Sequence, residues 1–153
     1  MVQLLLEYIL IFLAAATPWL EAIVVIPIGI IRGLNPILVS IVGFVGNMLT
    51  VLLVVIFYEK FEEWRKRRRE KKGIEEQPAT KRQERAKRVW NRYGLPGLSL
   101  GGPLILGTHL TILMALALGA KKQAATWWMT ISLVAWIVVF AVGTYFGFSW
   151  FTS

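Results

Sequence analysis

The stretch PWLEAIVVIPIGIIRGLNP, residues 18–36, places one glutamate, Glu21, between Pro18 and Pro27 inside a nearly continuous apolar run. This run extends over residues 1–58, so Glu21 falls about where a helix would lie deepest in a lipid bilayer. A carboxylate is costly in hydrocarbon and is rare there unless it faces a cavity or a partner. We therefore predict that Glu21 belongs to a functional site and that the two flanking prolines shape it.

The composition of the chain indicates an integral membrane protein. Of its 153 residues, 56% are hydrophobic and only 17% are charged, which is too apolar for a soluble domain of this length. The chain contains no cysteine, and all nine acidic residues are glutamates. Disulfides, thiolate metal sites, cysteine nucleophiles and paired-aspartate catalysis are therefore excluded. We expect neither a metal nor another cofactor.

Two segments are long enough to cross a membrane as helices. Residues 36–58 give about 34 Å of helix against a hydrocarbon core of about 30 Å. Their helical charge spacing continues to Lys72 as a stalk, which Gly73 and Pro78 are expected to end. Residues 123–148 form the second predicted span. Aromatic residues of the kind found at membrane interfaces flank this span: Trp127, Trp128, Trp150 and Phe151.

Two further apolar pieces are each too short, given their breakers, for two full crossings. In residues 2–34, Thr17-Pro18 separates two legs of about 20 Å and supplies a helix cap followed by a first helical residue. In residues 94–120, breaks are predicted at Gly101-Gly102-Pro103 and at Gly107-Thr108. Both pieces are predicted to be re-entrant hairpins, which enter the bilayer and return on the same side.

The segment between the spans is strongly basic, because 14 of the 17 Lys and Arg residues lie in residues 60–92. Such an excess beside a span marks the cytoplasmic side and attracts anionic lipid headgroups. Apolar residues recur at helical spacing in residues 81–93, which predicts an amphipathic helix. We expect residues 59–92 to form a cytoplasmic helical hairpin that does not bind nucleic acid. Its amphipathic helix either lies on the membrane surface or on the stalk, or recognises lipid headgroups through Arg85, Lys87, Arg88 and Arg92.

These elements together predict an all-α integral membrane fold with an internal inverted repeat. Residues 1–58 and residues 93–153 each contain a re-entrant hairpin followed by a transmembrane helix, with the basic hairpin between them. Aligning Gly33 with Gly119 matches the hairpin ends and the following spans without gaps. Inverted repeats whose broken helices meet near the midplane are typical of secondary transporters. The Lys and Arg distribution predicts a multi-pass protein of the inner membrane.

The same alignment sets Glu21 opposite Gly107, and Thr108 and His109 follow that second break. His109 is the only histidine. It is either a neutral imidazole bonded to a backbone carbonyl freed by the break, or a proton acceptor or substrate contact near Glu21. Glu21 itself could instead clamp the broken helix or extend toward the outer membrane surface. Asn47, in the middle of the first span, is expected to make an interhelical hydrogen bond in preference to a ligand contact.

One pattern is typical of an enzyme. Gly97-Leu98-Ser99-Leu100-Gly101 matches the G-x-S-x-G motif of serine hydrolases, and His109 follows it. In soluble hydrolases that motif requires a strand-to-helix turn and a third, acidic residue. This segment has no such strand. An intramembrane serine hydrolase using Ser99 and His109 is therefore the last of the interpretations that the sequence allows.

Several short motifs occur in order along the chain: Pro18-Trp19-Leu20-Glu21, Ile26-Pro27-Ile28-Gly29, Gly33-Leu34-Asn35-Pro36, Gly46-Asn47, Arg92-Tyr93-Gly94 and Gly107-Thr108. In these motifs the chain resembles the small multidrug export family, which is itself similar to the DedA-type proteins of the VTT membrane-protein superfamily. The resemblance implies paired re-entrant hairpins and places Glu21 at the family's acidic position. It also implies proton-linked movement of lipids such as polyprenyl phosphates.

Two motifs depart from the pattern of that family. Ile23 stands where the family has an arginine two residues after the acid, and the P-G-T-G of the family's second hairpin reads Leu106-Gly107-Thr108-His109 here. If relatives use that arginine to bind an anionic headgroup, this chain needs another cation. Arg32 and His109 are the candidates.

We therefore predict a small membrane transporter or lipid flippase, with proton coupling and a polar site between two re-entrant hairpins. The chain is short for such a cavity, which favours a homodimer. One alternative is a scaffolding membrane protein that acts through the basic hairpin, and the other is the intramembrane hydrolase. The transporter interpretation implies that the chain is not an enzyme.

Overall fold

The computed structural model describes residues 2–18, 20–72 and 81–152. Within them six helices follow one another: α1 (Val2–Ala15), α2 (Glu21–Ile31), α3 (Pro36–Lys72), α4 (Lys81–Ile105), α5 (Thr108–Ala117) and α6 (Lys122–Thr152). The described residues contain no strand, which confirms the all-helical prediction. The predicted stalk break at Gly73 and Pro78 and the side chains of Trp150 and Phe151 lie outside the described residues.

Helices α3 and α6 are both long and apolar enough to cross a membrane. The start of α3 is capped by Asn35, whose side-chain Oδ1 accepts hydrogen bonds from the backbone N–H groups of Ile37 and Leu38 at 2.9 and 3.2 Å. Pro36 takes the first helical position, where no N–H is needed. From there α3 continues as one helix to Lys72, as its charge spacing predicted.

Helices α3 and α6 pack side by side in opposite directions. The Nζ of Lys122, at the start of α6, lies 2.9 Å from Glu59 Oε1 near the far end of the apolar part of α3. Further along α6, the Thr130 hydroxyl lies 3.7 Å from the sulfur of Met48. The four shorter or bent helices pack against this antiparallel pair: α1, α2 and α5 contact α3, and α2, α4 and α5 contact α6.

The turn between α1 and α2 differs from the sequence prediction. Thr17 does not cap α2, because its hydroxyl donates backwards to the Leu13 carbonyl of α1 at 2.9 Å. Helix α2 begins only at Glu21, and the preceding Leu20 makes no side-chain cap. The prediction that Thr17-Pro18 starts the second leg is therefore wrong, whereas the end of that leg at Ile31 agrees with it.

Helix α4 is bent at Gly94, where φ is 64° and ψ is −157°. The bend separates an amphipathic N-terminal half from an apolar C-terminal half. The predicted break at Gly101-Gly102-Pro103 is wrong, because α4 continues through these residues to Ile105. An interior glycine costs a helix only about 1 kcal/mol relative to alanine. Gly102 also allows close packing on α5, since a Cβ there would clash with the Thr111 side chain.

The ends of α2 and α5 share one backbone arrangement. Gly33 and Gly119 have φ values of 86° and 95°, in the left-handed region that favours glycine. In both turns the N–H of the next residue donates to the carbonyl five residues earlier, at 3.1 and 3.0 Å. Helices α3 and α6 then start at equivalent positions, Pro36 and Lys122. The sequence alignment of Gly33 with Gly119 therefore pairs turns of the same type.

Glycines in α3 let the first pair of helices approach it closely. A Cβ at Gly46 would lie 2.5 Å from the Phe12 carbonyl oxygen of α1, and one at Gly43 would lie 2.9 Å from Ile26 of α2. The helices bury a core of small and branched apolar residues, while many large apolar side chains remain on the outside. An exposed apolar surface of this extent suits lipid and not water. Together with the two long apolar helices, it indicates a membrane protein.

Candidate functional site

Glu21 lies at the first position of α2 in an unusual backbone conformation. Its φ of 30° is positive, and it is the one non-glycine residue with positive φ in the described part of the chain. Such a conformation costs a residue with a side chain about 1–3 kcal/mol and persists only where the surroundings fix it. The residue is 6% exposed, so the strained backbone holds the carboxylate inside the protein.

The Glu21 carboxylate accepts hydrogen bonds from the N-terminus of α5. The backbone N–H and the hydroxyl of Thr108 both donate to Oε2 at 2.7 Å, and the backbone N–H of His109 donates to Oε1 at 3.3 Å. The first N–H groups of a helix lack partners within the helix and carry partial positive charge. A carboxylate from α2 therefore caps α5, which has no side-chain cap of its own.

Gly107 makes room for this contact. Its φ is 86°, and a Cβ built on it would lie 2.7 Å from Glu21 Oε1. No other residue type combines that backbone conformation with the absence of a side chain facing the carboxylate. The two breaks that the alignment pairs, at Glu21 and Gly107, therefore contact each other directly.

His109 connects the carboxylate to α3. Its Nδ1 lies 3.1 Å from Glu21 Oε1, and its Nε2 lies 2.6 Å from the hydroxyl of Thr50. An ionised carboxylate only accepts hydrogen bonds, so Nδ1 is the donor when Glu21 is ionised. Of the two alternatives for His109, the bond to a freed backbone carbonyl is not found, since both ring nitrogens face side chains. Both Glu21 and His109 are less than a tenth exposed.

Thr50 is the site residue that sequence analysis missed. Besides its contact with His109, its hydroxyl lies 2.9 Å from the Asn47 carbonyl oxygen in the preceding turn of α3. A hydroxyl has one proton to donate and can also accept, so Thr50 can donate either to His109 or to Asn47. The sequence contains only a weak signal for Thr50, because threonine is common in membrane helices and its position one turn after Asn47 does not set it apart.

The side chains of Arg32 and Asn47, which were also predicted for the site, lie apart from this network. Arg32, at the far end of α2, lies 3.4 Å from the carboxylate of Glu7 and is largely exposed. It is therefore not the cation of the Glu21 site. The Asn47 side chain is fully buried and has no hydrogen-bond partner among the described residues. The predicted interhelical hydrogen bond of Asn47 is therefore wrong.

An open cavity of about 1,030 Å³ lies beside Glu21 and His109; we call it the central cavity. Pro18, Pro27 and Gly107 line it with them, so five of the predicted site residues share one space. The remaining lining is mostly apolar and comes from α2 to α6. Its size is at the upper end of the range for small-molecule sites, which are apolar with a few placed polar groups.

Ser99 and His109 do not form a hydrolase pair. Ser99 lies inside α4, without the strand-to-helix turn that exposes a serine nucleophile. Both ring nitrogens of His109 face other side chains, those of Glu21 and Thr50. Nor do the described residues contain a group of three His, Cys, Asp or Glu side chains that could hold a metal ion.

The basic residues predicted to bind lipid headgroups all lie in the amphipathic half of α4. Ala86 in that half is buried and Val89 and Trp90 are half-buried, while the predicted headgroup residues are exposed. These exposed residues are Arg85, Lys87, Arg88 and Arg92. The position fits the prediction, but their binding of lipid stays a prediction.

The chain matches a known protein family. A family model described as "Putative small multi-drug export protein" matches residues 21–139, more than half of the chain and including every residue of the Glu21 network. Searches of curated proteins and of solved structures found no match.

Proposed function

Because the chain belongs to the small multi-drug export protein family, we propose that it is a membrane transporter that moves small compounds out of the cell. The family description supports export, and the two long apolar helices support a location in a membrane. Transport also accounts for a large apolar cavity that contacts two ionisable side chains. In this proposal the protein moves its substrate without changing it chemically.

The observation that carries the proposal is the buried contact between Glu21 and His109 at the wall of the central cavity. A purely structural cap for α5 would need only the bonds from Thr108 and the backbone. His109 adds a second titratable group, and ionisable groups inside a membrane protein are costly and usually functional. The pair is therefore placed where a change of charge would act on a bound substrate.

Proton coupling is the finer part of this proposal. A neutral His109 accepts a hydrogen bond from Thr50 at Nε2. A protonated His109 donates to Thr50, whose hydroxyl then donates to the Asn47 carbonyl 2.9 Å away. The network can therefore satisfy both protonation states of His109 by turning one hydroxyl group. Such a network suits a site that gains and loses a proton in each transport cycle.

The proposed architecture is a pair of re-entrant hairpins in opposite orientations. Helices α2 and α5 have 11 and 10 residues, or about 16 and 15 Å, against a hydrocarbon core of about 30 Å. Residues 59–92 would lie in the cytoplasm and the spans in the inner membrane, with two copies forming a dimer. A lipid flippase of the DedA type would use the same architecture with a lipid as cargo.

Export assays with two glutamate variants test the proposal. Glu21→Gln keeps the shape but removes the charge, and we expect the initial efflux rate of a lipophilic fluorescent dye to fall at least about tenfold, which is about 1.4 kcal/mol. Glu7→Gln is the matched control, because Glu7 pairs with Arg32 away from the cavity. It should export normally. Normal export by Glu21→Gln at equal expression would contradict the proposed function.

A further inference from the structure

A second cavity lies where α3 leaves its apolar part. It has a volume of about 420 Å³ and lies between α3, α5 and the amphipathic half of α4; we call it the stalk cavity. Leu110, Leu113, Met114 and Leu118 of α5 form an apolar wall. A smaller apolar cavity of about 310 Å³ next to it is lined by Val54, Tyr58 and Phe61 of α3, among others.

Leu113 lines the stalk cavity, the smaller cavity and the central cavity. Leu110 lines both the stalk cavity and the central cavity. The three spaces are therefore neighbours, and these two leucines border both the stalk cavity and the space beside Glu21. Because a leucine side chain can change rotamer, this border is apolar and movable.

The polar rim of the stalk cavity is balanced in charge. Glu62 and Arg65 of α3 and Glu84 and Lys87 of α4 line it, two acids with two bases. The surroundings are more basic than the rim, since residues 59–92 contain 14 basic and seven acidic residues. A cavity built for a phosphate or another anion would collect the abundant arginines and lysines without acids. The rim instead offers partners to both signs of charge.

We propose that the stalk cavity binds a zwitterionic amphiphile, with an apolar chain on the leucine wall and a headgroup that carries one positive and one negative group on the rim. The anionic group would contact Arg65 and Lys87, and the cationic group would contact Glu62 and Glu84. This inference deepens the proposed function, on which it rests, by naming a substrate class. Leu113 would admit the bound molecule to the central cavity.

Binding can be measured without transport. The chain has no cysteine, so Leu118→Cys introduces a single site for a polarity-sensitive fluorophore in the cavity wall. The labelled full chain, in a non-ionic detergent, is titrated with dodecylphosphocholine, dodecyl phosphate and dodecyltrimethylammonium, which share one chain and differ in charge. We expect the zwitterion to bind at least about tenfold more tightly than either ion, a difference of about 1.4 kcal/mol.

Charge variants then test the rim itself. Glu62→Gln with Glu84→Gln leaves two bases, and preference should shift at least about tenfold toward dodecyl phosphate. Arg65→Gln with Lys87→Gln leaves two acids, and the binding preference should shift by a similar factor toward dodecyltrimethylammonium. The control pair is Glu63→Gln with Glu70→Gln, which removes the same total charge from residues 59–92 at two positions that line none of the three cavities. Equal binding of all three amphiphiles, or an equal shift in the control pair, would overturn the inference.

A bulky variant tests passage. Leu113→Trp would fill space that borders both the stalk cavity and the central cavity, and dye efflux should fall at least about tenfold. Ile56→Trp is the control, because Ile56 is an exposed apolar residue of α3 that lines none of these cavities. Normal efflux by Leu113→Trp would contradict the passage of substrate from the stalk cavity into the central cavity, even if the stalk cavity binds dodecylphosphocholine selectively. Failure of the proposed function is seen separately, as normal efflux by Glu21→Gln.

Discussion

At Glu21 a strained backbone and a set of strong hydrogen bonds occur together. The left-handed conformation costs about 1–3 kcal/mol. Hydrogen bonds to a charged group contribute about 1.5–3 kcal/mol each, and this carboxylate accepts bonds from Thr108 and His109. The bonds therefore exceed the strain, and the position of Glu21 depends on them. Any change that displaces α5 should release the strained residue.

Gly107→Ala is the sharpest single change at this site. Alanine at φ 86° is strained, and its Cβ would lie 2.7 Å from Glu21 Oε1, so the carboxylate must leave the N-terminus of α5. We expect a loss of stability of about 2–4 kcal/mol from strain and lost bonds together, and loss of efflux. Thermal unfolding in detergent measures the loss of stability, and the dye assay measures the loss of efflux. Gly143→Ala is the control, because nothing lies within 4 Å of its Cβ; a variant at Gly107 as stable as this control would contradict the account.

The residues of the site were predictable from sequence to different degrees. Glu21 and His109 were found because ionisable residues are rare in apolar segments and adjoin predicted breaks. Thr50 could not be found in this way, since threonine is tolerated anywhere in a membrane helix. Arg32 was assigned to the site only because Ile23 stands where the resembled family has an arginine, and the structure pairs Arg32 with Glu7.

At the scale of elements, the adjacent glycines Gly101 and Gly102 of α4 differ in what surrounds them. Gly102→Ala would place a Cβ against the Thr111 side chain and force α4 away from α5, whereas a Cβ at Gly101 would have nothing within 4 Å. We expect Gly102→Ala to lower stability by about 1–3 kcal/mol through overpacking. Gly101→Ala should be neutral, or stabilising by up to about 1 kcal/mol from helix propensity. Chemical unfolding measures the stability of both variants. Equal changes in stability would show that α4 and α5 do not pack as described.

Helix boundaries were predictable where side-chain and backbone signals agree. Gly33-Leu34-Asn35-Pro36 combines a left-handed turn, a cap and a first-turn proline, and α3 starts where these predict. The break predicted at Gly101-Gly102-Pro103 does not occur, because close packing of Gly102 on α5 outweighs the low helix propensity of glycine. Packing between helices is set by the three-dimensional contact, which the local sequence does not contain.

For the whole molecule, the inverted arrangement makes a prediction about sidedness. Gln3→Cys and Arg32→Cys mark the two ends of the α1–α2 pair, and Lys121→Cys marks the end of α5. With a membrane-impermeant thiol reagent on a chain that has no cysteine of its own, positions 3 and 32 should react from outside and position 121 from inside. Reaction of positions 3 and 32 from opposite sides would show that α1 and α2 cross the bilayer together and do not return.

The central claim is that Glu21 and His109 act as one proton-dependent transport site. Reconstituted transport is measured across a pH gradient for the unaltered chain, Glu21→Gln, His109→Ala and the double variant. Because Nδ1 and Oε1 lie 3.1 Å apart, the two effects should couple by about 0.5–3 kcal/mol. We predict that each single variant loses the response to the gradient and that the double variant is hardly worse than the more impaired single one. If the losses of the two single variants simply add in the double variant, the claim is contradicted.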